Sequence, residues 1–162
     1  GLPKLDNSPA DDTLGAVDKP TMAKVASVDN PPVQLGLRAQ ITSGQTLTGS
    51  AKDRTVAVGR QLLEMGYSGI WQHPDFNYDS GYTGTGNERV GSHSPNSYHY
   101  HNEALDIGVQ ANGHQKLEML YQYLNKNRAR FGIAELFYDP TGSRGHPGGH
   151  AHHVHVSFGG GD

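Results

Sequence analysis

Glu103-Ala104-Leu105-Asp106-Ile107-Gly108-Val109 is the stretch that decides the architecture. Leu105, Ile107 and Val109 alternate with Asp106. Successive side chains of a strand point to opposite faces, so the segment reads as a strand with an apolar layer on one side and Asp106 in a cleft on the other. The run His153-Val154-His155-Val156-Ser157-Phe158 repeats the device. Val154, Val156 and Phe158 pack inward, and His153 and His155 share the opposite face.

Just before the first strand stands Ser97-Tyr98-His99-Tyr100-His101-Asn102. A zinc hydrolase site needs three neutral or anionic protein ligands, an open position for water and a nearby group that moves a proton. His99, Asp106 and His155 can be the ligands, which leaves His153 as the base. Residues two apart on a strand project side by side, so one can hold the metal while the other faces the water. Taken alone, a His-x-His pair is usually two solvated or hydrogen-bonded imidazoles. Its pairing with the upstream segment is what points to Zn2+.

These residues also resemble a known group. Ser97-x-His99-x-x-Asn102-x-Ala104-x-Asp106 is similar to the Ser-x-His-x-x-Gly-x-Ala-x-Asp signature of the lysostaphin, D-Ala-D-Ala carboxypeptidase and hedgehog-like zinc peptidases. His153-x-His155 is similar to the second signature of that group. The resemblance spans about residues 66 to 158. It implies zinc on His99, Asp106 and His155, with His153 as base where D-Ala-D-Ala dipeptidases carry Glu. Related peptidases use an arginine upstream of the first His, which makes Arg89 the expected partner of the tetrahedral oxyanion. The chain departs from the signature at Asn102, which stands where the group has Gly; Asn tolerates left-handed backbone better than most residues. The tail, with His150, His152, His153 and His155 ahead of a glycine run, looks like peptidase domains of phage tail and virion proteins.

Composition bounds the alternatives. The 162 residues suit one domain plus an extension, and a hydrophobic content of 34% is low for a chain packed throughout. A net charge of −3 gives no basic stripe for nucleic acid. Without cysteine there is neither a disulfide framework nor a thiolate metal site, so a metal must rest on histidine and carboxylate. No run approaches the ~20 apolar residues of a membrane span.

Along the chain, residues 1–49 carry Pro3, Pro9, Pro20, Pro31 and Pro32 among scattered polar residues, with a short strand at Gln34 to Ile41 as the one periodic segment. They read as an extended Pro-rich arm or linker. Residues 50–158 read as the peptidase domain and 159–162 as a Gly-rich tail. Within the domain, Ser50-x-x-Asp53 caps a first helix that stops at Gly66. Trp71 falls in a long loop from Tyr67 to Gly91, the kind of segment that walls a binding site. A second helix from about Gly113 to Arg130 presents Leu117, Leu120, Tyr121 and Leu124. Glu135 to Tyr138 reads as a strand, and 140–149 as a loop. The fold class is α+β: a small, mainly antiparallel sheet covered by two helices, with the zinc site in a surface cleft.

The expected activity is zinc-dependent cleavage of an amide bond in stem or cross-bridge peptides of bacterial murein, by a chain that works outside the cell, in the cell envelope or on a phage virion. Tyr98 and Tyr138 can hydrogen-bond the reacting oxygen. His93, His101, His146, His150 and His152 exceed what one zinc uses. The competing expectation is a non-catalytic module that keeps zinc for stability. A fourth ligand from His101 or His152 would close the site and favour that second reading.

Overall fold

The computed structural model describes residues 30–76 and 97–159. In chain order these form α1 (Pro31–Ser43), α2 (Ala51–Glu64), β1 (Ile70–Trp71), a 3-10 turn (Tyr98–His101), β2 (Ala104–Gly108), α3 (Val109–Lys126), α4 (Arg128–Phe131), β3 (Glu135–Phe137) and β4 (His153–Ser157). The four strands make one sheet in the order β1-β2-β4-β3, antiparallel at every pairing. The expected α+β class with a small antiparallel sheet is what the described residues form.

Alternation divides the sheet into two chemically different faces. Ile70, Leu105, Ile107, Leu136, Val154 and Val156 are buried and join one core cluster with the helices. Leu62 of α2 and Leu117, Leu120 and Leu124 of α3 are fully buried in the same cluster. Each such side chain withdrawn from water contributes about 1.5–3 kcal/mol. On the opposite face the register lines up Trp71, Asp106, His155 and Phe137 in one row across the sheet. Among the described residues, helix packing thus occupies one side, and the other carries this row.

The first domain helix forms as its sequence predicts: the Ser50 side chain accepts from the Asp53 N–H at 3.1 Å, and the helix ends two residues before Gly66, which has φ +98°. The next helix starts earlier than Gly113. Val109 opens it, and Gly113, at φ 83° and ψ 158°, breaks it from within. It stops at Lys126, and Arg128–Phe131 make a separate turn of helix.

Two boundaries need correction. Pro31–Ser43, expected as an extended arm with a strand at Gln34–Ile41, is a helix packed on α2. Pro31 and Pro32 sit in its first turn, where a missing N–H costs nothing, and Gly44 ends it at φ 82°. Val33, Leu35 and Leu37 alternate as a strand would, yet the buried positions are Gln34, Leu37 and Ile41, at helical spacing. Leu35 is 72% exposed. Gln34 Nε2 donates to Asp53 O at 3.0 Å and Leu47 N to Arg130 O at 2.8 Å, so residues 30–47 belong to the packed body. The Gly-rich tail likewise begins inside it: Gly159 is buried, and a Cβ there would overlap the Tyr98 ring.

Candidate metal centre

The site is assembled from a turn and two central strands. Ser97 Oγ accepts from His99 N at 3.2 Å and opens the 3-10 turn. Asn102 closes the turn in the left-handed conformation, at φ 59°, which only Gly and a few short polar residues adopt readily. This places His99 over the open face just before β2 begins. Asp106 is the middle residue of β2, and its register partner on β4 is His155.

Three donor atoms converge there. His99 Nε2 lies 3.1 Å from Asp106 Oδ1, and His155 Nδ1 lies 3.2 Å from the same oxygen. One ligand atom from each of the three residues falls within 4.8 Å of the others, a spacing that can hold a metal ion. His99 and His155 are buried, at 1% and 6% exposure, and their rings stand 5.0 Å apart at 68°. Two imidazoles and a carboxylate fit zinc, which takes nitrogen and oxygen donors.

The electrostatics follow from this crowding. Burial alone would raise the Asp106 pKa, but the His99 and His155 imidazoles outweigh it and hold the carboxyl well below its ordinary range. Burial opposes charge on His155; hydrogen bonds to Asp106 and Glu135 overcome it and raise the pKa to about 9. Burial pushes His153 the other way, below its ordinary value, against the pull of Asp106. His153 Nε2 stands 3.7 Å from Asp106 Oδ2, beside the three-donor group and outside it.

A cavity of about 1300 Å³ opens over this face, with Trp71, His99, Asp106, Glu135, His153 and His155 among its walls. Trp71, expected in a loop, is in β1, paired with Asp106. Arg89, with the rest of the expected loop from residue 77 on, and His93 lie outside the described residues. Tyr138 does not face the cavity: it is fully buried on the helix side, its hydroxyl 2.7 Å from His114 Nδ1. Tyr98 packs at Gly159 and is likewise not among the cavity walls.

The surplus histidines separate by position. His101 is exposed, with Lys52 as its charged neighbour. His146 is tied into its own loop, its Nδ1 accepting from Tyr138 N at 3.0 Å. His152 is exposed, faces His114 with ring centres 6.2 Å apart, and lines the same cavity without joining the three-donor group. His150 does reach the site, its ring centre 5.1 Å from that of His153 and 5.6 Å from that of His155. Sequence reading also passes over Glu135, whose Oε1 is 2.9 Å from His155 Nε2. Alternation around Leu136 places Glu135 on the open face, but the β3–β4 register that brings it to His155 is not written in either strand. No family model, curated protein or solved structure matches the chain.

Proposed function

We propose that the chain is a zinc-dependent peptidase that hydrolyses an amide bond in the stem or cross-bridge peptides of bacterial murein. The observation that carries this reading is the convergence of His99 Nε2, Asp106 Oδ1 and His155 Nδ1 beside a fourth imidazole, His153, on the wall of an open cavity. Zinc, when bound, supplies a Lewis acid that polarises an amide carbonyl and brings the pKa of water towards neutrality. The remaining work falls to the chain. His153, held below its ordinary pKa, is neutral near pH 7 and accepts a proton from the attacking water. The same imidazole then returns the proton to the leaving amine. Trp71, 39% exposed at the cavity wall, offers an apolar surface to the peptide. Arg89 is the proposed partner for charge that develops on the carbonyl oxygen.

The resemblance to zinc peptidases of the lysostaphin, D-Ala-D-Ala carboxypeptidase and hedgehog-like group supports this substrate class, and a working place outside the cell, in the cell envelope or on a phage virion. No helix among the described residues is long and apolar enough to cross a membrane. Purified murein digested with and without a chelator and analysed by mass spectrometry tests the proposal. New amino termini that appear only without chelator are expected. An unchanged muropeptide pattern in zinc-loaded protein would overturn it.

A second reading rests on the 3.7 Å between His153 Nε2 and Asp106 Oδ2. A small shift would bring His153 in as a fourth ligand and close the site, as in a structural zinc module. Metal content of His153→Ala separates the two.

A further inference from the structure

On the proposed metal-centre reading, His155 has to present one particular nitrogen to the ion. An imidazole has two, and which of them carries the proton is decided by what the other one meets. The Nδ1 of His155 lies 3.2 Å from Asp106 Oδ1, the oxygen that His99 Nε2 also reaches, while its Nε2 lies 2.9 Å from Glu135 Oε1. Ser157 Oγ donates to that same Glu135 oxygen at 3.2 Å. Glu135 and Ser157 are register partners on β3 and β4, so the ladder itself fixes this contact. Phe137, the register partner of His155, stacks on its ring at 5.5 Å and 14°. The imidazole is thereby held in its plane by the phenyl ring and within that plane by the carboxylate.

We infer that Glu135 is a positioning residue: it accepts the Nε2–H of His155, fixes the tautomer and commits Nδ1 to the metal. Ser157 holds the carboxylate in place, and Phe137 sets the plane of the ring. A carboxylate behind a ligand imidazole also makes the ligand more basic, which strengthens its hold on a cation.

The test measures zinc affinity by competition with a chromogenic chelator for wild type, Glu135→Ala, Glu135→Gln and Ser157→Ala. Thermal melts of the metal-free proteins check folding. Glu135→Ala is expected to bind one zinc with about 10- to 100-fold lower affinity while still melting cooperatively, with a lower midpoint in the metal-free form because His155 loses one of the carboxylates that favour its charged form. Glu135→Gln, which keeps an acceptor oxygen, should recover part of the loss, and Ser157→Ala should lose less than Glu135→Ala. In the zinc-loaded wild type, the His155 Nε2–H should give a slowly exchanging imidazole proton signal that Glu135→Ala loses. Cobalt-loaded Glu135→Ala should show shifted ligand-field bands. Unchanged affinity, proton signal and cobalt spectrum in Glu135→Ala would overturn this inference alone. A wild-type chain that takes up no zinc would overturn it together with the metal-centre reading. Zinc binding that depends on Glu135 in a chain that cleaves no murein upholds it and removes only the peptidase reading.

Discussion

Asp106 and His155 are register partners across β2 and β4, and their side chains meet with Oδ1 of the carboxylate 3.2 Å from Nδ1 of the imidazole. His99 Nε2 reaches the same oxygen at 3.1 Å. One carboxylate oxygen therefore ties together two imidazoles that arrive from separate parts of the chain. Asp106→Ala removes this shared centre. The wild type is expected to retain about one equivalent of zinc after dialysis, the count a single three-donor site implies, and the mutant to lose it. Elemental analysis checks this, and full zinc content in Asp106→Ala would discard the ligand set.

His153 and His155 differ in where they stand relative to that oxygen, and their alanine variants should differ accordingly. His155→Ala should lose the metal. His153→Ala should keep metal and fold while losing about 10²-fold or more in turnover of soluble muropeptides, the usual worth of a general base. Zinc lost from both variants would make His153 a ligand and favour the structural module. Full activity in His153→Ala would send the proton elsewhere, with His150 the nearest other imidazole on that wall.

The metal-free protein should lose stability as pH rises. His155 has a folded pKa of about 9, above the ~6.5 of an unfolded chain. Between those values the folded state binds more protons than the unfolded one, so stability falls with pH. The contribution is fully present below about pH 6.5 and is lost as pH rises through about 9, on the order of 3 kcal/mol in all. Asp106 and Glu135 stay ionised across this window, because both are held below the ordinary carboxylate range. Urea melts in chelator at several pH values measure the slope, and His155→Ala should flatten it. A wild-type stability that stays level or rises from about pH 6.5 to 9 would contradict the assignment.

The helix Pro31–Ser43 makes the end of the expected Pro-rich arm part of the packed body. Leu37→Ala or Ile41→Ala, each removing a side chain at most 5% exposed, should cost about 2–5 kcal/mol in denaturant melts. Leu35→Ala, at a position 72% exposed, should change stability by less than about 0.5 kcal/mol. Equal effects at Leu35 and Leu37 would mean that the helix does not pack on α2 by this face.

What the sequence discloses is governed by how local each signal is. The strand character of β2 and β4 rests on period-two alternation, and the Ser50 cap on a four-residue pattern, so both can be read directly. The facing of Asp106 and His155 is also legible, because each sits in an alternating strand, whereas His99 stands on a turn without such a period and is reached through the ligand requirement and the signature it resembles. Pairing across the sheet is not local, which is why Glu135 behind His155 and His150 beside His153 escape notice. The segment from Pro31 fails for a different reason. Val33, Leu35 and Leu37 satisfy the strand period, while the helical spacing of Gln34, Leu37 and Ile41 includes a glutamine, and a buried amide does not register in an apolar pattern. Tyr138 looks like a donor near the site because of its strand, yet it directly follows β3 and turns to the helix side.

The row Trp71, Asp106, His155 and Phe137 exists only in one alignment of the strands. Displacing β4 against β2 by a single position would turn one strand's side chains to the wrong face, with valines in the cavity or imidazoles against the leucines of α3. No intermediate offset keeps both the core and the three donors. On the proposed metal-centre reading, an ion would therefore favour this one strand alignment, because only there do Asp106 and His155, 49 residues apart in sequence, come together.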